Sequence, residues 1–287
     1  MIPSTYEPTP PSLRLNGQLM ALDVPRVMGI INLTADSFHA ESRVRQREEL
    51  LLRVASMLGE GADIIDLGAQ STRPGAKMIG AREEAETLIP VIEALVKEFP
   101  GIVISADTFY GEVARRAAGA GAAMINDVSA WEIDSDMLEA VISLGLPYIL
   151  MHMKGTPSTM QEDPRYTDVM GEITHFFSEK INTLRLAGVC DIILDPGFGF
   201  GKNPDQNIEL FRKSNSLSMF GLPLLAGISR KKTIQHIAGT DAAHALNATT
   251  AAHVLALQKG FRILRVHDVK EAREAIKVWS VLSDDRA

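Results

Sequence analysis

From Val27 onward the chain repeats one pattern: a short apolar run ends at a polar or charged residue, and a stretch of helical spacing follows. The apolar runs are Val27–Ile31, Ile64–Gly68, Ile102–Ala106, Met124–Ile125, Tyr148–Met151, Ile192–Leu194, Leu222–Ile228 and Phe261–Leu264. They are rich in β-branched residues and mostly lack polar alternation, as parallel strands covered on both faces require. Helices are expected over Arg45–Leu58, Arg82–Phe99, Gly111–Ala118, Asp136–Leu144, a segment closing at Gly188, Asp205–Met219, a region closing at Lys259, and Val269–Leu282. Glycines stop several of them. Eight strand–helix units in series predict an α/β protein, a single (β/α)8 TIM barrel over residues 26–287. A doubly wound open sheet is the alternative. It asks for a glycine-rich phosphate turn after the first strand, where this chain has Asn32-Leu33-Thr34-Ala35. Residues 1–25 are expected to form an irregular N-terminal arm, with a short hairpin at Asn16-Gly17, a favoured two-residue turn.

Other features exclude some classes of function. The net charge of −7 argues against nucleic acid as the main partner, because phosphate backbones need a basic face. Cys190 is the single cysteine, so an intrachain disulfide and a cysteine zinc site are excluded. Its place just before an apolar strand predicts a small buried hydrophobe. Met1–Pro11 is polar and Pro-rich with no apolar core, and no run approaches the length of a membrane span. The expected location is the cytoplasm, with no membrane partner.

In a barrel of this kind, the C-terminal strand ends and the loops beyond them form the active face. Here those places carry Asn32, Thr72 and Arg73, Asp107, Asn126, His152, Asp195, Lys231, Arg265 and His267. Singly, each has an ordinary explanation. A strand-end Asn or Asp caps the next helix, a Lys within Arg230-Lys231-Lys232 is solvated, and His152 is either a packed structural histidine or a ligand. The fold, however, points them all at one mouth. Asp107, Asn126 and Asp195 suit a flat heterocycle with N–H donors, since a carboxylate accepts two parallel N–H bonds from an amino-pyrimidine edge. Arg73, Lys231, Arg265 and His267 imply an anionic ligand in an otherwise acidic chain. Asn32, with Asp36 in the loop after it, suits a Mg2+ that keeps most of its waters and binds substrate phosphates. Position and chemistry together indicate a transferase or lyase acting on a phosphorylated heterocycle. The stretch from Gly197 to Lys202 is not a P-loop, because Pro196 and Asn203 stand where that motif needs Gly and Ser or Thr.

Eight segments resemble the dihydropteroate synthase family in order and spacing. They are Met28–Thr34 with Asp36-Ser37-Phe38, Ser71–Ala76, Asp107-Thr108, Ile125-Asn126-Asp127, Met151-His152-Met153, Asp195–Lys202, Gly227–Lys231 and Arg265–Val269. The resemblance covers residues 26–282. It implies condensation of dihydropterin-6-ylmethyl diphosphate with para-aminobenzoate, giving dihydropteroate and pyrophosphate. Pyrophosphate would leave first and the arylamine attack a pterin methylene cation. By the same resemblance Asp107, Asn126, Asp195 and Lys231 hold the pterin. Asn32 binds Mg2+ and, with Thr72, Arg265 and His267, the diphosphate. Asp36 and Arg73 close over the site and act in catalysis with Asp107 and Lys231. Phe38, Arg73, Pro74, Phe200, Ser229 and Lys231 line the para-aminobenzoate pocket. A homodimer through the last helices is implied, with Val254, Leu255, Val278, Trp279 and Leu282 as contacts or, equally, as core. The chain departs from the family in the first loop, Thr34–Ser42, which lacks the usual Pro and two glycines. It departs again at Ala69 and Gln70, where Gly and Glu are common. Two other readings of such a barrel stay open. A pterin-binding methyltransferase domain has no need of Ser71–Pro74 or Arg265–His267, and a non-catalytic pterin binder should have lost the loop and cationic residues.

Overall fold

The computed structural model describes residues 11–33, 43–70, 78–157, 159–160 and 164–283. Eight parallel strands close into a barrel. In chain order they are β3 (Arg26–Asn32), β4 (Ile64–Gly68), β5 (Ile104–Asp107), β6 (Met124–Asp127), β7 (Tyr148–Met151), β8 (Ile192–Asp195), β9 (Leu224–Ala226) and β10 (Phe261–Val266). β10 lies beside β3, pairing Ile263 with Arg26 and Val266 with Gly29, which closes the ring and rules out the open sheet. The helices between strands are α1 (Arg43–Glu60), α2 (Ala81–Glu98), α3 (Gly111–Gly119), α4 (Asp136–Leu144), α5 (Val169–Leu186), α6 (Pro204–Lys213), α7 (Lys232–Ala238) and α8 (Leu246–Gln258), and α9 (Val269–Leu282) follows the last.

The elements differ from expectation where local chemistry intervenes. The run Leu222–Ile228 yields only the three-residue β9, because Pro223 has no N–H for a ladder, although its carbonyl accepts from Leu194 N at 2.9 Å. The expected helix over Asp205–Met219 is α-helical to Lys213 and then tightens into a 3-10 turn, Ser214–Phe220. The helical region ending at Lys259 is two helices, since α7 stops at Gly239, whose φ of 62° suits a left-handed cap. β10 runs on to Val266, so Arg265 lies inside a strand rather than beyond it. Cys190 is exposed, not buried. Val189 takes the inward place beside it, and the strand proper begins only at Ile192.

The described part of the arm, from residue 11, carries the expected hairpin and packs it against the barrel. β1 (Ser12–Leu15) and β2 (Gln18–Ala21) form an antiparallel hairpin whose turn residues Asn16 and Gly17 have φ of 50° and 77°, the left-handed pair that a tight hairpin turn demands. Leu13, Leu15 and Leu22 bury themselves with Met28, Ile64, Met124, Ile149, Ile193, Leu225 and Ile263. These barrel residues belong to different strands and face inward, so the hairpin seals the barrel floor. The outward strand residues Val27, Ile65, Leu67, Ile104, Ala106, Leu150 and Leu194 pack instead with the helices. Among the suggested dimer contacts, Trp279 is core, whereas Leu255, Val278 and Leu282 are exposed. No helix among the described residues is long and apolar enough to cross a membrane.

Truncating Leu22 removes a fully buried side chain from the floor. We expect Leu22→Ala to lower stability by about 3 kcal/mol in urea unfolding, within the usual range for such deletions. Ligand affinity at the opposite end should survive. An unchanged unfolding midpoint would show that the hairpin is not part of the cooperative core.

Candidate functional site at the barrel mouth

Side chains on a strand alternate faces, so the residue two places after an inward floor residue also faces inward, one layer higher. That rule places Asp66 above Ile64, Asn126 above Met124, Asp195 above Ile193 and Arg265 above Ile263. The interior therefore changes from apolar to polar over a single step. Arg265 is the hub of the polar layer. Its Nε donates to Asp66 Oδ2 at 2.7 Å and its Nη2 to Asp107 Oδ2 at 2.6 Å. Asn126 Nδ2 donates to both Asp66 oxygens at 3.3 Å. Asp107 and Asn126 are register neighbours on β5 and β6. Gly68, the partner of Asp107 on the other side, leaves room for that carboxylate, since an added Cβ would lie 3.2–3.4 Å from its atoms.

The electrostatics follow from burial. Burial pushes the Asp107 carboxyl up, with Arg265 opposing and Asp66, Glu84 and Asp127 adding to the rise. Burial works against the Arg265 charge, yet Asp66 and Asp107 hold its pKa above the ordinary value. Burial also raises Asp195, against the pull of Lys231 and of Gly197 N, which donates to Asp195 Oδ1 at 2.8 Å. Lys231, desolvated and near Arg265, falls to about 8 although Asp195 favours its charge. Its Nζ donates to Phe198 O at 2.6 Å and stands 4.5 Å from the centre of the Phe200 ring. A Cβ on Gly227 would meet both Asp195 Oδ2, at 3.5 Å, and Lys231 Nζ, at 3.6 Å, so those two groups flank one space.

Phe200 is buried with Phe109, Val128, Met151, Met153 and Met160, forming an apolar wall under Lys231. Phe198 packs the other way, against Phe211 and Phe261. Ser229 Oγ accepts from His267 N at 3.3 Å, linking the ends of β9 and β10. Partial desolvation and the Arg265 charge lower the His267 pKa, which Asp268 opposes. Arg230 holds the same rim together: its guanidinium is bidentate on Asp268, at 2.7 and 2.9 Å, while its backbone sits at a φ of 52°. Asn32 is exposed at the tip of β3.

The structure thus gathers Asp107, Asn126, Asp195, Lys231 and Arg265 in one mouth, with Phe200 as a wall and Ser229 and His267 at the rim. His152 is left out. Its ring packs edge-on against Phe176 of α5 at 4.9 Å, and burial drives its pKa down to about 2, so it is the structural histidine of the two alternatives. Asp36, Phe38, Thr72, Arg73 and Pro74 lie outside the described residues. Three features were not foreseen. Asp66 was visible only as the polar residue inside an apolar run. Lys202 is buried with its ammonium donating to Gly197 O and Phe200 O, both at 2.9 Å, and to His152 O at 3.3 Å. It thereby staples the loop after β8, in which Gly197 at a φ of 71° passes so close to His152 O that a Cβ would overlap it. Gln70 bridges the stem of the second loop, with Nε2 donating to Ile79 O and to Glu84 Oε2 and Oε1 accepting from Ile79 N.

Residues 28–267 match the family described as pterin binding enzyme. The chain is 42% identical over 270 residues to the dihydropteroate synthase of Escherichia coli, covering 93% of this chain and 95% of that protein. It superposes with a TM-score of 0.87 on a Yersinia pestis dihydropteroate synthase in a sulfonamide drug complex, at 39% identity and covering 94% of this chain and 98% of that one. A Xanthomonas albilineans dihydropteroate synthase with 4-aminobenzoic acid also gives 0.87, at 41% identity, covering 96% and 98%.

Glu84 is fully buried beneath this mouth, and desolvation raises its pKa from 4.5 to about 7 despite hydrogen bonds that oppose the rise. Between those values the folded chain holds a proton that the unfolded chain releases. The resulting stabilisation is complete below pH 4.5 and disappears as the pH rises through about 7. Glu84→Gln should therefore unfold at higher urea than wild type at pH 8, by up to about 3 kcal/mol, and lose that advantage below pH 5. Parallel pH profiles for the two proteins would refute the assignment.

Proposed function

This chain belongs to the family of pterin-binding enzymes, and we propose how its own residues carry the dihydropteroate synthase reaction. It is a transferase: it joins dihydropterin-6-ylmethyl diphosphate to para-aminobenzoate, releasing pyrophosphate and forming dihydropteroate. The observation that carries the residue assignment is the acid-rich polar layer lying directly under a cationic rim.

The pterin enters flat over that layer. Its amino-pyrimidine edge donates to Asp195, whose Oδ1 is already fixed by Gly197 N. Asn126 and Asp107 meet the opposite edge, held in place by Asp66 and Arg265. Lys231 completes the pocket from the side of Phe200. The bond that breaks joins the pterin methylene carbon to the diphosphate oxygen, and the electron pair leaves with pyrophosphate. Asp107 and Asp195 stabilise the cation that develops on the pterin, because fixed carboxylates in a dry site act strongly on new charge. The arylamine nitrogen then forms the new C–N bond and loses a proton to solvent. Phe200, Ser229 and the stem of Lys231 suit the arylamine ring.

Arg265 in β10 and His267 just beyond it face the diphosphate. Asn32 would hold Mg2+, since an exposed amide oxygen beside the unpartnered Gln46 Oε1 fits an ion that retains its waters. When bound, the ion supplies positive charge to the departing diphosphate. Asp36, Arg73, Thr72, Phe38 and Pro74 keep the roles that the family resemblance gives them. We further propose a cytoplasmic homodimer, supported by the exposed Leu255, Val278 and Leu282 on α8 and α9. Light scattering at the monomer mass would reject it.

Mixing the pterin diphosphate with para-aminobenzoate and Mg2+ should release pyrophosphate above background; no release would sink the reaction assignment. Asp195→Ala should weaken bare pterin binding by at least about a hundredfold in calorimetry, since two charge-assisted bonds are lost. Unchanged affinity would place the pterin elsewhere.

A further inference from the structure

Beside the tip of β3 lies a cavity of about 260 Å³, of which the assignments above use only Asn32 and Gln46. Glu49 and Arg53 of α1 also line it, together with Ile31, Leu33 and Leu50. Gln46 to Leu50 to Arg53 advances by four and then three residues, so these side chains share one helix face. Two observations make this cavity part of the mouth rather than a surface crease. Asn32, which lines it, is the register partner of Gly68, and Gly68 is that of Asp107, so Asn32 stands level with the polar layer. The positive charge of Arg53 acts on His267, so the two side chains lie within electrostatic reach.

The charge balance of the mouth says what the cavity should take. Arg265 is the strongest cation near the site, yet its guanidinium is engaged by Asp66 and Asp107 at 2.6–2.7 Å. With two carboxylates on one guanidinium, that cluster has little positive charge left to offer. Partial desolvation and the Arg265 charge work against a positive charge on His267. A further full positive charge at this end would add to that of the ion. Arg53 is exposed and makes no ion pair among the described residues.

We propose that Arg53 on α1 is a further diphosphate-binding residue, and that the cavity between Asn32 and Arg53 receives the terminal phosphate. The inference rests on the reading of Asn32 and His267 as the diphosphate end of the site. Two N–H groups of one guanidinium meet two phosphate oxygens in a fixed planar fork, a geometry that the point charge of a lysine does not impose.

The test uses the whole enzyme, titrated by calorimetry with inorganic pyrophosphate and Mg2+, and separately with a bare pterin. Arg53→Ala should weaken pyrophosphate by about tenfold and leave the bare pterin within twofold, and Arg53→Lys should recover only part of the loss. His267→Ala serves as the reference. If His267→Ala weakens pyrophosphate but Arg53→Ala does not, the inference is overturned and the diphosphate reading stands. If neither variant weakens pyrophosphate, the diphosphate reading fails and the inference fails with it. If Arg53→Ala weakens pterin and pyrophosphate alike, Arg53 is structural and the inference is overturned. Should Arg53→Ala not fold, Arg53→Gln, which keeps the length and most of the packing, is read by the same criteria.

Discussion

The bridge from Arg265 to Asp66 and Asp107 is the interaction on which the mouth depends. Two buried carboxylates facing each other in the barrel interior would repel, and neither has water to solvate it. The guanidinium resolves both problems in one plane. Removing one member of such a buried set leaves an uncompensated charge, which is far more damaging than the net value of the pair. Asn126 is drawn into the same arrangement through Asp66. Four residues from four strands are thereby fixed relative to each other before any ligand arrives, so the site is preorganised by its own charges.

Around that centre the remaining groups are held by anchors within the loops. Lys202 ties three carbonyls of the β8 region together. Arg230 locks to Asp268, and through its neighbours Ser229 and Lys231 it sets where the ends of β9 and β10 sit. At the end of β6, Asp127 accepts from Ser129 N, Trp131 N and Tyr148 Oη, which stabilises a turn in which Ala130 and Trp131 both have positive φ. Such backbone is strained for residues with a Cβ, and here it follows directly on the strand that carries Asn126.

Much of this was legible in the sequence. The apolar runs gave all eight strands, and their terminal polar residues gave Asp107, Asn126, Asp195 and Lys231, because position at a strand end is a property of the chain. Asp66 was hidden. It lies inside an apolar run, and only the alternation of faces, once the inward set is known, shows that it points at Arg265. His152 was ambiguous for a related reason: it follows the strand, and whether its ring turns toward the mouth or toward α5 depends on Phe176, which is distant in sequence. Lys202 looked like the end of a loop, whereas tertiary burial makes it the loop's anchor. Cys190 misled because adjacency to a strand does not decide which face a residue presents.

The way the barrel closes has a consequence for how the protein comes to exist. Arg265 and Asp66 are 199 positions apart, and β10 pairs with β3 at the other end of the ring. Contacts of such separation must overcome loop-closure entropy before they contribute, so they form late. During synthesis Asp66 and Asp107 emerge long before the cation that neutralises them. The binding mouth therefore waits on the last strand of the barrel, and a nascent chain that has made seven strands lacks the cation at its centre.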